Sequence, residues 1–207
     1  MTEQFDEREL RKAYVRRRQT IVFSVVAAVM AVAVIVSSLF MFHVFGLGEQ
    51  DSPVVKPNYG IQAPCAPADQ DGNPAKYVDN SSVSIRVMNG TAFSGFAKAV
   101  GEALANRSFN VTSVGNYSTT SVERTTIYFG KNAIAEAYTL NSNFTDAILQ
   151  MDDREDKLID VVLGATFKDL QDKQNVPAAG ANITNIEGCV AADQMTNVPK
   201  AAEHTAV

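Results

Sequence analysis

One stretch limits what this chain can become more than any other. From Ile21 to Phe42 the sequence reads IVFSVVAAVMAVAVIVSSLFMF, 22 residues without a charge or a proline. About 20 apolar residues in a helix cross roughly 30 Å of hydrocarbon, so the run predicts a membrane span. Ser24, Ser37 and Ser38 are tolerable there, because a hydroxyl can donate to a carbonyl one turn earlier. Arg11, Lys12, Arg16, Arg17 and Arg18 precede the run, whereas Glu49 and Asp51 follow it. The positive flank places the N-terminus in the cytoplasm and the long C-terminal part outside. The run is longer than a signal-peptide core and no A-x-A site closes it, so an uncleaved anchor is expected. His43 at the exit is read as an interfacial residue.

Charge divides by compartment. Six of the 18 Lys/Arg and four of the 23 Asp/Glu lie in residues 1–20, leaving a net charge of −7 beyond them. That sign speaks against nucleic acid or anionic headgroups as partners of the outer part. Cys65 and Cys189 are the only cysteines. In an oxidising compartment they predict a disulfide closing a loop around everything between them.

Past the span the layout changes. Residues 46–81 carry Pro53, Pro57, Pro64, Pro67 and Pro74, which favour extended backbone and predict an extracytoplasmic linker that lifts the next domain off the bilayer. SVSIRVM, 82–88, alternates like a strand, and Phe93, Phe96, Ala97, Val100 and Leu104 recur like one face of a helix. Strands follow at 109–114 and 125–129, and a shorter helix runs from Lys131 to Leu140. A short edge strand at 147–151 and the apolar run KLIDVVLG, 157–164, complete the pattern. A two-layer α/β (α+β) sandwich in the order β-α-β-β-α-β-β is therefore expected over residues 82–172, behind the span at 21–45 and the basic segment 1–20. The tail, 173–207, loses periodicity and is expected to be loose apart from Cys189.

The inventory for catalysis is thin. His43 and His204 are the only histidines, which leaves neither a Ser-His-Asp triad nor a histidine-ligated metal site. Asp152, Asp153, Glu155 and Asp156 read as a solvated acidic turn. No catalytic residue, cofactor or metal is expected. Seven Asn-x-Ser/Thr sequons, at Asn80, Asn89, Asn106, Asn110, Asn116, Asn143 and Asn182, read as incidental composition. VMNGTAFSGFA, 87–97, is neither a phosphate loop nor a nucleophile elbow, because its glycines are wrongly spaced for both. Its plain reading is a turn: Asn89-Gly90 with positive φ, Thr91 or Ser94 capping the helix, and Gly95 allowing the first helical turn close to the sheet.

The same residues carry a resemblance. Val87-Met88-Asn89-Gly90-Thr91, then Ser94-Gly95 and AKAVGEALANRSFNV, are similar to the opening of the LytR C-terminal domain family, with Ser108 where the family usually has glycine. DVVLGATF, 160–167, resembles the family's closing strand and turn, with Thr166 in place of an aspartate. The plan of basic N-terminus, single span, Pro-rich linker, lone domain and cysteine-bearing tail also resembles single-span actinobacterial envelope proteins. The resemblance implies a non-catalytic scaffold or regulator of enzymes of the LytR-CpsA-Psr family, which attach glycopolymers to peptidoglycan. The alternative it leaves open is a binding module for a wall glycan or a prenyl-linked lipid, in a groove beside the turn. Asn89, Gly90, Thr91, Ser94 and Gly95 are the motif residues to which partner or ligand contact would fall, beside their structural use.

Overall fold

The computed structural model describes residues 7–41, 56–68 and 71–207. His43, Glu49, Asp51 and Pro53 lie outside the described residues. The chain divides into two units, Met1–Ser52 and Pro53–Val207. In the first, helix α1 runs over Glu7–Met41, so the basic flank and the apolar run as far as Met41 form one helix. Its segment Tyr14–Ser38 is long and apolar enough to cross a membrane. Ser38 Oγ donates to the Val34 carbonyl at 2.8 Å, the back-bond expected of a hydroxyl in such a helix.

The second unit contains β1 (Ser84–Asn89), α2 (Phe96–Ala105), β2 (Asn110–Asn116), β3 (Thr126–Phe129), α3 (Ile134–Asn141), β4 (Ile148–Met151) and β5 (Ile159–Leu163). Their order is the expected β-α-β-β-α-β-β. They build one mixed sheet, β2-β1-β5-β3-β4. β1 is parallel to β2 and β5, β3 is parallel to β4, and β3 meets β5 antiparallel. The two crossovers step in opposite directions along the sheet from oppositely directed strands. Right-handed connections therefore put α2 and α3 on the same face, which gives two layers.

The core lies between them. Ile85, Val87, Ile127, Phe129, Leu149, Ile159, Val161 and Leu163 from the sheet meet Val100, Leu104, Ala137 and Leu140 from the helices. β5 is buried along its whole length, as its near-continuous apolar sequence requires of a central strand. A register shift between Ile85 and Arg86 inserts Thr112 as a bulge in β2. As a result Val111 and Val114, three apart, both face α2, where Gly101 leaves room for them.

Two expectations about the flanks are not met. Residues 56–68 and 71–81 do not stand off as a spacer, because Ala63 and Tyr77 enter the core and Asn58 clamps the β4 edge. Asn58 Oδ1 accepts from Leu149 N–H at 2.8 Å while Nδ2 donates to Leu149 O at 2.8 Å, so a side-chain amide satisfies the edge as a strand would. The tail is not loose either: Ile183 and Ile186 join the core, and Lys76 bridges to Asn182. Both segments meet α3, where the Tyr138 hydroxyl donates to the Pro64 carbonyl at 2.8 Å and accepts from Ile186 N–H at 3.4 Å. The proline spacing concealed this, since proline forbids a ladder donor without forbidding burial.

The predicted disulfide is formed between Cys65 and Cys189, 124 residues apart. Beside it Cys65 N–H donates to the Val190 carbonyl at 2.7 Å, and Val190 N–H donates to that of Ala63 at 3.1 Å. The bridge thus joins the two flanking segments to each other across the domain.

Candidate functional site

The Asn89–Gly95 turn closes on itself. Asn89 Oδ1 accepts from Thr91 N–H at 3.0 Å and from Thr91 Oγ1 at 2.9 Å, and Nδ2 donates to the Phe93 carbonyl at 2.7 Å. Thr91 Oγ1 in turn accepts from Phe93 N–H at 3.2 Å. Both acceptor positions of the Asn89 amide and one of its donors are used inside the turn, and Asn89 and Thr91 are buried. Ser94 is exposed.

The turn differs from expectation in its glycines and its cap. The left-handed residue is Gly95, at φ 76°, which occupies the N-cap of α2; neither Thr91 nor Ser94 caps the helix. Gly90 supplies the close approach instead. A Cβ there would sit 2.6 Å from Val122 Cγ2 and 2.7 Å from the Leu163 carbonyl, because Gly90 bonds through its N–H to β5 and through its C=O to Val122. Phe93, expected to face inward, is 69% exposed, since the helix begins only after it.

Ser108, at the position where the resemblance expects glycine, has φ 69°, a left-handed conformation that explains the glycine. Thr166 donates to Asp146 Oδ2 at 2.7 Å, and Asp146 also pairs with Arg124 at 3.2 Å. An aspartate at 166 would place a second carboxylate there.

The acidic turn is not solvated throughout. Asp152 is 3% exposed and Arg154 5%, and they form a two-armed ion pair. Arg154 Nη2 also donates to Asp160 at 3.0 Å, and Asp160, 1% exposed near the start of β5, takes two more bonds from Arg86. Cross-strand register puts Arg86, Asp160 and Tyr128 in one row on the sheet face away from the helices. Burial alone would lower the Arg154 pKa; the bond to Asp152 and the charges of Asp160 and Asp152 outweigh it, and the net shift is upward. Burial, with Tyr117 next, pushes Tyr128 up to about 12. Two arginines and two aspartates thus neutralise one another at a buried position.

The tail ends over this row. Arg86 Nη1 donates to the Glu203 carbonyl at 3.2 Å, Asp153 accepts from Ala201 N–H at 2.7 Å, and His204 lies 3.1 Å from Asp156. Sequence reading missed the group. Its signal was Asp160, a carboxylate inside an otherwise apolar central strand. Asp153 and Glu155 remain exposed, as the turn reading expects.

A cavity of about 900 Å³ opens between the disulfide, the start of α3 and the end of β4. The register places Met151 at the end of the sheet opposite Asn89, so this space is not beside the motif turn. The five motif residues do not line it.

Comparison with known proteins adds the family. Residues 82–167 match the model of the family described as LytR cell envelope-related transcriptional attenuator. No curated protein matches the chain. Among solved structures, the soluble domain of a conserved hypothetical secreted protein (Rv2700 ortholog) from Mycobacterium marinum is similar. It is 22% identical, with a TM-score of 0.44, covering 53% of this chain and 82% of that one. The apolar helix and the envelope family together fit a single-pass membrane protein with an extracytoplasmic domain. The match to the LytR C-terminal family runs from just before β1 through the turn after β5, residues 82–167.

Proposed function

We propose that this chain is anchored by α1 with its N-terminus in the cytoplasm and supports cell-envelope integrity from the outer side, as a non-catalytic scaffold or regulator of glycopolymer-attaching enzymes. The observation that carries the reading is the envelope-family match over 82–167, in one chain with an apolar helix flanked by basic residues. The bridge between Cys65 and Cys189 agrees with an oxidising compartment. Partners are enzymes of the LytR-CpsA-Psr family, reached through the exposed surface of the domain. A deletion strain should become sensitive to wall-directed antibiotics, and residues 53–207 on a foreign single-span anchor should restore resistance. A stable, exported chimera that fails to restore it would overturn the reading.

The second reading, a binding module for a wall component, is favoured by the cavity of about 900 Å³, a size suited to a small ligand. It moves the candidate site away from Asn89, Gly90, Thr91, Ser94 and Gly95, whose polar groups serve the turn. Those five residues then act as architecture that fixes the entry of α2.

A further inference from the structure

The lining of the cavity is chemically uneven, and the unevenness selects among ligands. Ile134 and Met151, both buried, give it an apolar floor, and small side chains such as Ala66 and Ala191 form its walls. Lys131, Glu155 and Asp193 line it, are exposed, and among the described residues their charged groups have no protein partner. Asp152 and Arg154 also line it but satisfy each other. With Asp153 included, the lining holds four carboxylates against two cations. A phosphate-headed lipid or an anionic glycopolymer would therefore enter against net repulsion. A ligand with an ammonium for Glu155 and Asp193, a carboxylate for Lys131 and methyl groups over the floor would meet a complement at each point.

We infer that this cavity binds a short zwitterionic peptide bearing a side-chain amine, the chemistry of a wall stem peptide. Choosing the wall as the source rests on the proposed envelope role; the charge argument does not.

The full chain in phosphatidylcholine nanodiscs, titrated with L-Lys-D-Ala-D-Ala and followed by calorimetry, tests it. Saturable one-to-one binding is expected, weakening several-fold between about 50 and about 300 mM salt. Glu155→Gln and Asp193→Asn should each weaken it about five- to tenfold, as should acetylating the lysine side chain of the peptide. Amidating the peptide's C-terminus should cost affinity in the natural chain and little further in Lys131→Gln. Ala191→Trp, at an exposed wall position that leaves the core untouched, should abolish binding while the melting temperature stays near that of the natural chain. Absence of saturable binding, binding indifferent to Ala191→Trp, or tighter binding of farnesyl phosphate than of the peptide would each overturn the inference. The antibiotic-resistance test would still stand in those cases, so failure here is separable from failure of the envelope role.

Discussion

At the scale of single residues, the motif turn shows that two glycines can be required for opposite reasons. Gly90→Ala forces a methyl against Val122 and the Leu163 carbonyl, and backbone bonds on both sides prevent a shift. We expect a loss of about 1–3 kcal/mol in urea unfolding, the range for overpacking. Gly95→Ala meets no neighbour within 4 Å and carries only the left-handed penalty, about 1–2 kcal/mol. Ser108 holds the same backbone region with a side chain attached, at φ 69°. Ser108→Gly should therefore raise stability by about 0.5–1 kcal/mol, the left-handed cost relieved less the extra chain entropy of glycine. A urea midpoint that falls or does not move would refute this account of the family's glycine.

Among elements, α3 is notable for what meets its C-terminal end. Lys56 Nζ donates to the carbonyls of Asn141 at 3.1 Å and Phe144 at 2.6 Å, where a cation also complements the helix dipole. Burial nevertheless lowers the Lys56 pKa to about 8. The sign follows from proton counts. Below pH 8 the amine is charged in both folded and unfolded chains, and the burial penalty is fully present. Between about 8 and the ordinary value near 10.5 the unfolded chain binds more protons, so stability rises with pH. The gain is at most about 3 kcal/mol, reduced by the solvent that still reaches the group. Urea midpoints should rise from pH 8 to pH 10 in the natural chain and stay flat in Lys56→Met. A parallel rise in both would assign the effect elsewhere.

For the whole second unit, the disulfide closes a loop of 124 residues containing every described strand and both helices of the sheet domain. In the chain-entropy model such a bridge contributes about 5 kcal/mol by restricting the unfolded chain. The ends it ties are ordered by core contacts as well, through Ala63 and Tyr77 on one side and Ile183 and Ile186 on the other. Reduction should therefore lower the melting temperature by well over 10 °C while leaving the far-ultraviolet dichroism at room temperature nearly unchanged. Loss of the folded spectrum on reduction alone would mean that the flanks are held by the bridge and not by packing.

The order of elements, the central place of β5, the apolar helix and the cysteine pair were all legible from the sequence. Each is written in a local period, a run length or a count that needs no neighbour to interpret. Asp152, Arg154, Asp160 and Arg86 were not legible as a group, because residues as far apart as 86 and 160 meet only through parallel strand register. The same holds for the flanks: Asn58 and Ile186 look like loop residues until the sheet edge and helix surface they cover exist. The cavity, too, belongs to no segment, since its walls come from stretches more than a hundred residues apart. Local chemistry decided which segments became strands and helices; the partners those segments meet, and hence which charges are buried and where a ligand could enter, were decided by the packed chain alone.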